Sequence, residues 1–198
     1  LCCKKESVRE MRIMNFKKFI YDKWITARDK ALKEEIQRAI ETIGKTFTEE
    51  FGMVYAYETD GYGMYNLMDD ANVPSLLAMS YLGYEGEPEV SSNTRRFLLS
   101  EANPFYFKGD KAAGIGSPHT PSNYTWHIAM AIQGLTSETR EEKLEILKNM
   151  AATTGGKGVM HEGFCCEDDS KFTRAWFSWA NAMYAELFLD YMGYQLEK

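Results

Sequence analysis

Carboxylates, histidines and aromatic residues recur in three polar, glycine-punctuated segments, each beside an apolar helical stretch. The segments run over Tyr57–Gly63 with Asp69–Ser75, over Gly114–Pro121 with Tyr124–His127, and over Gly158–Phe164. Loops carried on a rigid scaffold commonly hold the groups that bind and react. Carboxylates beside aromatic faces are suited to binding a sugar and cleaving its glycosidic bond. These residue types therefore predict a glycosidase.

Glu162 is the candidate acid or base, because it lies in a glycine-flanked loop between His161 and Phe164. A histidine and an aromatic ring close to a carboxyl group can tune its pKa, as acid–base chemistry requires. The alternative is an exposed loop glutamate that accepts hydrogen bonds from nearby backbone N–H groups. This motif alone leaves both interpretations open.

Asp69 and Asp70 form a candidate acidic pair. Because adjacent side chains diverge in a helix or a strand, the two carboxylates are predicted to have different tasks, such as capping and ligand binding. An aspartate that caps a helix ahead of Val73 and Pro74 would account for one of them without any part in function.

The three histidines do not predict a metal site. His119 and His161 have no second histidine or cysteine at ligand spacing, and His127 falls on an apolar helix face. His127 is therefore predicted to be a core histidine with satisfied hydrogen bonds. No cofactor is expected, since Thr154–Gly158 lacks the spacing and the Ser or Thr of a phosphate loop and is better described as a flexible turn. Ser117 lacks the surroundings of a serine nucleophile.

The composition is that of a soluble globular protein, with 44 % apolar and 26 % charged residues. The net charge of −6 argues against a nucleic-acid partner, which requires a basic surface. No run approaches the roughly 20 apolar residues that span a bilayer, so no membrane partner is expected. The twelve tyrosines and four tryptophans suit stacking on sugar rings, although large helical cores also use them.

The four cysteines occur as two adjacent pairs, Cys2-Cys3 and Cys165-Cys166. Neither pair has the spacing of a zinc site or a redox motif, and adjacent cysteines bond to each other poorly. Free thiols in a reducing compartment are expected, which favours a cytoplasmic location. The chain begins without a methionine or the apolar region of a signal peptide, so we expect that upstream sequence has been lost.

The elements that must position these segments are predicted to be almost entirely helical, because the dominant apolar period is that of a helix. The predicted helices cover Glu6–Ile43, Val73–Leu82, Glu89–Leu99, Tyr124–Leu135, Glu138–Ala151 and Thr173–Met192. Gly44 is expected to end the first helix, Ser137 to cap the fifth, and Met53–Tyr57 to form one short strand. Residues 1–198 are therefore predicted to form a single all-α domain. The succession of helices indicates a small helical domain or part of a toroid of helical hairpins, and their number favours the toroid.

Taken together, the segments resemble the C-terminal half of glycoside hydrolase family 125, the metal-independent exo-α-mannosidases. The match is carried by Tyr57–Gly61, Asn66–Ser75, Asn93–Phe97, Gly114–His119, Trp126–Ile128, Gln133–Thr136, Met160–Phe164 and Phe177–Asn181. These motifs occur in the family's order and cover roughly residues 52 to 195, whereas residues 1 to about 30 match poorly.

The resemblance implies an (α/α)6 toroid that removes terminal α-1,6-linked mannose with inversion and without a metal. By its place in the family's motif, Glu162 is similar to the general base. The residues expected to line the mannose pocket are Asp69, Asp70, Asn72, His119, Trp126 and His161. The expected partner is a mannose-containing oligosaccharide. Arg95 and Arg96 also lie in a family motif, but they could instead lock a helix to a carboxylate.

One departure from the family pattern concerns the general acid. The family's acid is an aspartate in an Arg-Pro-Ser-Asp-Asp stretch, which these 198 residues lack. The chain is therefore expected to be a mannosidase fragment with little turnover by itself, unless Asp69 or Asp70 substitutes. A non-catalytic carbohydrate-binding module that retains the pocket is the alternative. A helical interaction domain without a sugar site would require the three segments to be coincidental.

Overall fold

The structure of the protein is a computed structural model that describes residues 26 and 28–194. The chain divides into two compact units between Ile43 and Gly44. In the first unit, residues 28–43 form helix α1, which ends before Gly44 as predicted. The first predicted helix is confirmed over this range, and most of its earlier residues lie outside the described part of the chain.

The second unit combines four helices with nine short strands over its described residues. The helices are α2 (Pro88–Leu98), α3 (His127–Leu135), α4 (Arg140–Ala152) and α5 (Ser178–Tyr191). The strands are β1 (Lys45–Thr48), β2 (Gly52–Tyr55), β3 (Glu58–Thr59), β4 (Tyr65–Asn66), β5 (Tyr106–Lys108), β6 (Ala113–Ile115), β7 (Tyr124–Trp126), β8 (Gly163–Cys165) and β9 (Asp168–Thr173). They pair antiparallel as β1–β2, β3–β4, β5–β6 and the three-stranded sheet β7–β8–β9.

The predicted all-α fold is wrong, and with it the (α/α)6 toroid as a description of this chain, because the second unit mixes helices and sheets. The strands are only two to six residues long, too short for an alternating pattern to be recognised in the sequence. Two predicted helices lose their first residues for this reason. Tyr124–Trp126 pairs as β7, and β9 continues to Thr173, so that α5 begins only at Ser178.

Other predicted elements agree more closely with the structure. Helix α2 has Pro88 in its first turn, where the missing N–H of proline costs no hydrogen bond. Strand β2 confirms most of the single strand that was predicted. Helix α4 is also confirmed, but its N-cap is Thr139, whose hydroxyl oxygen accepts a hydrogen bond from the Glu142 amide, so the predicted Ser137 cap is wrong.

The helix predicted over Val73–Leu82 is absent, and this described segment is a succession of turns instead. The two carboxylate oxygens of Asp69 accept the N–H groups of Leu76 and Leu77, each at 2.9 Å. The next amide, that of Ala78, bonds three residues back rather than four. Because a distant side chain and tight turns take these N–H groups, no continuous run of helical hydrogen bonds develops.

Helices α3, α4 and α5 pack together and form much of the core of the second unit. A Cβ atom on Gly134 would lie 2.7 Å from the Leu187 side chain, so the glycine lets α3 and α5 approach closely. Strand β7 ends at Trp126 and α3 begins at the next residue, which fixes the three-stranded sheet to this core. Within the described residues, every helix is too short or too polar to cross a membrane.

Candidate active site

The three polar segments meet through contacts between loops and strand ends. The Ala71 amide donates a hydrogen bond to the Gly116 carbonyl oxygen at 3.0 Å, which joins the first segment to the second. The Trp126 indole donates to the Thr120 hydroxyl oxygen at 3.0 Å, and Trp126 pairs with Gly163 in the β7–β8 ladder. This ladder joins the second segment to the third. The fold therefore gathers residues that lie up to about 90 positions apart into one region of the second unit.

Glu162 immediately precedes β8, and its side chain is 16 % exposed. Its Oε1 atom lies 3.0 Å from Nε of Arg174. Among the described residues, the Arg174 guanidinium is the one polar partner that the Glu162 carboxylate contacts, and no backbone N–H group bonds to it. The alternative of a loop glutamate held by backbone amides is therefore not what the structure shows. A partly exposed carboxylate with a single described polar partner has the geometry of a candidate base.

His161 directly precedes Glu162 in the sequence, and its side chain is fully buried. Its Nδ1 lies 2.9 Å from the carbonyl oxygen of Ala175, and its Nε2 lies 3.0 Å from that of Thr154. Carbonyl oxygens only accept, so both contacts are hydrogen bonds only when each ring nitrogen carries a proton. The ring also stacks on Phe172, with centroids 3.9 Å apart and planes 8° from parallel. The ring is therefore held between two backbone carbonyl groups and Phe172, at the residue that precedes Glu162.

His127 is a buried core histidine with both ring nitrogens satisfied, as predicted. Its Nδ1 accepts the backbone N–H of His161 at 3.0 Å, and its Nε2 lies 3.1 Å from the Thr153 hydroxyl. That hydroxyl donates its own proton to the Asn149 carbonyl oxygen, so Nε2 of His127 is the donor to Thr153. The ring is therefore neutral. Burial lowers the pKa of His127 to about 4.

Asp69 is fully buried, and both of its carboxylate oxygens are engaged by the turn amides described above. Burial raises the pKa of Asp69 to about 7, although the hydrogen bonds from Leu77 and Leu76 act in the opposite direction. Its geometry is that of a side chain that organises the following turn. One member of the acidic pair therefore organises a turn, whereas the predicted helix that it would have capped is absent.

Asp70 is 7 % exposed and has different partners. Its Oδ1 accepts hydrogen bonds from the backbone N–H and the side-chain amide of Asn72, at 3.1 and 3.2 Å. Burial raises the pKa of Tyr57, and the charges of Asp70 and Asp69 raise it further. Tyr57 belongs to the first polar segment, but its sequence position alone does not show this electrostatic influence of the acidic pair.

Trp126 and His119 differ in exposure, although both belong to the second segment. Trp126 is 3 % exposed, and its indole edge covers Gly163, where a Cβ atom would lie 2.9 Å from the ring. His119 is exposed in a turn whose backbone N–H donates to the Ser117 hydroxyl oxygen. Trp126 therefore supports the strand that follows Glu162, while His119 is available to solvent.

Arg174 is a site residue that the sequence pattern does not single out. The helix predicted from Thr173 would have placed Arg174 in its first turn. In the structure Arg174 follows the last residue of β9, and its backbone φ of +47° lies in the left-handed region. Arg174 is identified as a site residue because it is a cation one position beyond β9, the strand that pairs with β8. This position opposite Glu162 follows from the strand register, which the sequence pattern does not show.

Other charged and sulfur-containing residues have structural surroundings. The Arg95 guanidinium bonds to the Glu142 carboxylate at 2.9 Å and to the Gln133 carbonyl oxygen, so it ties α2 to other helices. Cys165 and Cys166 carry free thiols as predicted, and Cys2-Cys3 lies outside the described residues. Within the described part of the chain, no three His, Cys, Asp or Glu side chains are grouped to hold a metal ion.

Comparison with known proteins relates this chain to one enzyme family. The sequence model of the family described as metal-independent alpha-mannosidase (GH125) matches residues 5–189. The meiotically up-regulated gene 157 protein of Schizosaccharomyces pombe is 46 % identical over 158 residues, which are 79 % of this chain and 31 % of the yeast protein.

A solved structure from Streptococcus pneumoniae is also similar to this chain. It is described as a metal-independent alpha mannosidase in a non-productive substrate complex with alpha-1,6-mannobiose. The TM-score is 0.82 at 46 % identity, and the match covers 85 % of this chain and 40 % of the bacterial chain. This chain therefore spans less than half the length of either relative.

Proposed function

Because the chain belongs to the family of metal-independent alpha-mannosidases (GH125), we propose that it carries the general base of an enzyme that removes terminal α-1,6-linked mannose with inversion. The observation that carries this proposal is the Glu162 carboxylate just before β8, whose ion pair with Arg174 is its one polar contact among the described residues. Further support comes from the Streptococcus pneumoniae relative, which was solved with α-1,6-mannobiose.

Inversion requires one carboxylate to activate water and one carboxylic acid to protonate the leaving oxygen, about 6.5–9.5 Å apart. Glu162 takes the first role in this proposal. A proton passes from water to its free oxygen while the water oxygen bonds to the anomeric carbon. The glycosidic bond breaks on the opposite side, and the acid gives its proton to the departing oxygen.

The pocket residues divide into contacts and supports in this proposal. Asp70, Asn72 and His119 are the candidates for hydrogen bonds to mannose hydroxyls, because the segments that carry them meet near the Glu162 strand and each retains some exposure. Three more deeply buried residues support the structure around the sugar rather than contact it; they are Asp69, Trp126 and His161.

We place the general acid in sequence outside these 198 residues. The Arg-Pro-Ser-Asp-Asp stretch that the family resemblance assigns to the acid does not occur here. Asp69 is a poor substitute, because both of its oxygens are occupied by backbone amides. We therefore expect the chain alone to release little mannose, since general acid assistance contributes about 10²–10⁴-fold.

The proposal is tested by comparing the 198-residue chain with a chimera in which the chain replaces the matching segment of the Streptococcus pneumoniae protein. Mannose release from α-1,6-mannobiose is followed by ¹H NMR, which distinguishes the anomers of the product. We expect little release by the chain, clear release by the chimera with β-mannose formed first, and loss of activity in the Glu162→Gln chimera.

Each other result overturns a stated part of the proposal. Formation of α-mannose first overturns inversion, and release by the chain alone at the chimera's rate overturns an external acid. A folded chimera that binds mannobiose without cleaving it identifies a carbohydrate-binding module instead. A folded chimera that neither binds nor cleaves mannobiose overturns the proposed function.

A further inference from the structure

Arg174 lies opposite Glu162 at the end of the antiparallel pairing between β8 and β9. Gly163 pairs with Thr173 in the β8–β9 ladder, so Glu162 and Arg174 occupy the next position beyond the last pair. Directly opposed side chains in such a ladder are close enough to interact. The observed contact is 3.0 Å, from Nε of Arg174 to Oε1 of Glu162. The strand register therefore determines which cation meets the candidate base.

The conformation of Arg174 is unusual for a residue with a side chain. Its φ of +47° lies in the left-handed region, where a Cβ atom is crowded by the following carbonyl group. The guanidinium carbon lies 5.4 Å from the centre of the Phe177 ring, within the range of a cation–π contact. The ring and the Glu162 carboxylate thus hold the guanidinium from two sides. Such outliers persist where the surroundings require them, and they are concentrated at functional sites.

Stability does not account for this arrangement. The Arg174 side chain is 64 % exposed, and ion pairs with an exposed partner contribute little to folding. What the contact does is orient the carboxylate. Nε of Arg174 lies 3.0 Å from Oε1 of Glu162, and no other described residue forms a hydrogen bond or an ion pair with this carboxylate.

We propose that Arg174 is the positioning residue for the general base, an inference that rests on the proposed function. The guanidinium holds Oε1 so that Oε2 faces the water that attacks the anomeric carbon. The proton leaves water for Oε2, and Arg174 neither gives nor takes a proton. This assigns a role in the reaction to a residue that the family motifs in this sequence do not include.

The test compares Arg174→Ala and Arg174→Lys with Lys171→Ala in the chimera. Lys171 is the matched control, because it lies on β9 and forms an exposed ion pair with Asp168. We expect Arg174→Ala to lower kcat by about 10²-fold with KM changed less than about threefold, since misplacing a reacting group by an ångström costs that much. The kcat of Arg174→Lys should lie between those of the unsubstituted chimera and Arg174→Ala, and the kcat of Lys171→Ala should be unchanged. Millimolar guanidinium restores part of the activity of Arg174→Ala and none of Glu162→Gln.

Several results overturn the inference and leave the proposed function standing. They are equal kcat in Arg174→Ala and Lys171→Ala, a raised KM at unchanged kcat, and a lost kcat that guanidinium does not restore. Should Arg174→Ala fail to fold, Arg174→Lys gives the same comparison, because it keeps the charge without the planar fork. An inactive unsubstituted chimera overturns the proposed function and this inference together.

Discussion

Asp69 and Glu162 lie in two segments that use a carboxyl group in opposite ways. Asp69 is fully buried, and backbone N–H groups of the following turn occupy both of its oxygens. Glu162 is 16 % exposed, and its one described polar partner is the end of a long arginine side chain. The Asp69 carboxylate stabilises the turn that follows it, whereas the structure around Glu162 holds that carboxylate in position.

This difference shows that the hydrogen-bond and ion-pair partners of an acidic residue distinguish a structural role from a reactive one. A carboxylate whose two oxygens both accept backbone hydrogen bonds has less capacity left for a ligand. A carboxylate that is oriented from one side and open on the other can exchange a proton. Substitutions at the two positions should therefore affect different properties of the protein.

The largest expected effect is on activity at Glu162. In the chimera, Glu162→Gln should lower kcat by about 10³-fold, because loss of a general base costs about 10²–10⁴-fold. The thermal midpoint should stay unchanged, since the side chain contributes one half-exposed ion pair. The assay pairs initial rates on α-1,6-mannobiose with thermal unfolding. A midpoint that falls together with the rate would make Glu162 a structural residue like Asp69.

Asp69→Ala should produce the converse result in the isolated chain. The substitution leaves the buried amides of Leu76 and Leu77 without their acceptors, so the free energy of unfolding should fall by about 2–4 kcal/mol. Urea unfolding measures this change. Asp168→Ala is the control, since that carboxylate is at the start of β9 with its side chain 41 % exposed, and its loss should leave the denaturation midpoint unchanged. Equal stability of the two variants would contradict the role of Asp69 in holding this turn together.

The pH dependence of stability sharpens the same comparison. Between pH 4 and 6.5 the unfolded chain protonates His127, which stays neutral when folded, so this residue lowers stability as the pH falls. Asp69 acts in the opposite sense, because its folded pKa of about 7 makes the folded state retain a proton that the unfolded state loses as the pH rises. The two contributions oppose each other in the unsubstituted chain.

Asp69→Asn should therefore expose the contribution of His127. We expect its free energy of unfolding to fall by about 3 kcal/mol from pH 7 to pH 4, from a pKa difference of about 2.5 units, and the unsubstituted chain to change less. Urea titrations across this range measure both slopes. Identical slopes in the two proteins would show that Asp69 does not titrate in this range.

The smallest expected effect compares two arginine–glutamate pairs. Arg95 bonds Glu142 between helices, with side chains 26 % and 33 % exposed, and lies outside the proposed reaction. Glu142→Gln should lower the free energy of unfolding by about 1 kcal/mol or less and leave kcat unchanged. Urea unfolding and chimera kinetics test this directly. A drop in kcat comparable to that of Arg174→Ala would remove the distinction between a structural and a positioning arginine.

Local sequence patterns are sufficient to identify much of the candidate site. Glu162 and the acidic pair are recognisable because glycines, carboxylates and aromatics stand close together in the sequence. Helices α2 and α4 are recognisable from apolar spacing that continues over three turns or more. The short strands are not, since two to six residues do not establish an alternating period.

The sequence by itself determined which residue types are available and which family the motifs resemble, because both depend on neighbours along the chain. Only the tertiary structure decided that Asp69 is enclosed by a turn, that His161 lies between two carbonyl oxygens, and that Arg174 meets Glu162. Burial and strand register bring together groups that are distant in sequence. The partners of each carboxylate, and hence its chemistry, are therefore set by the fold.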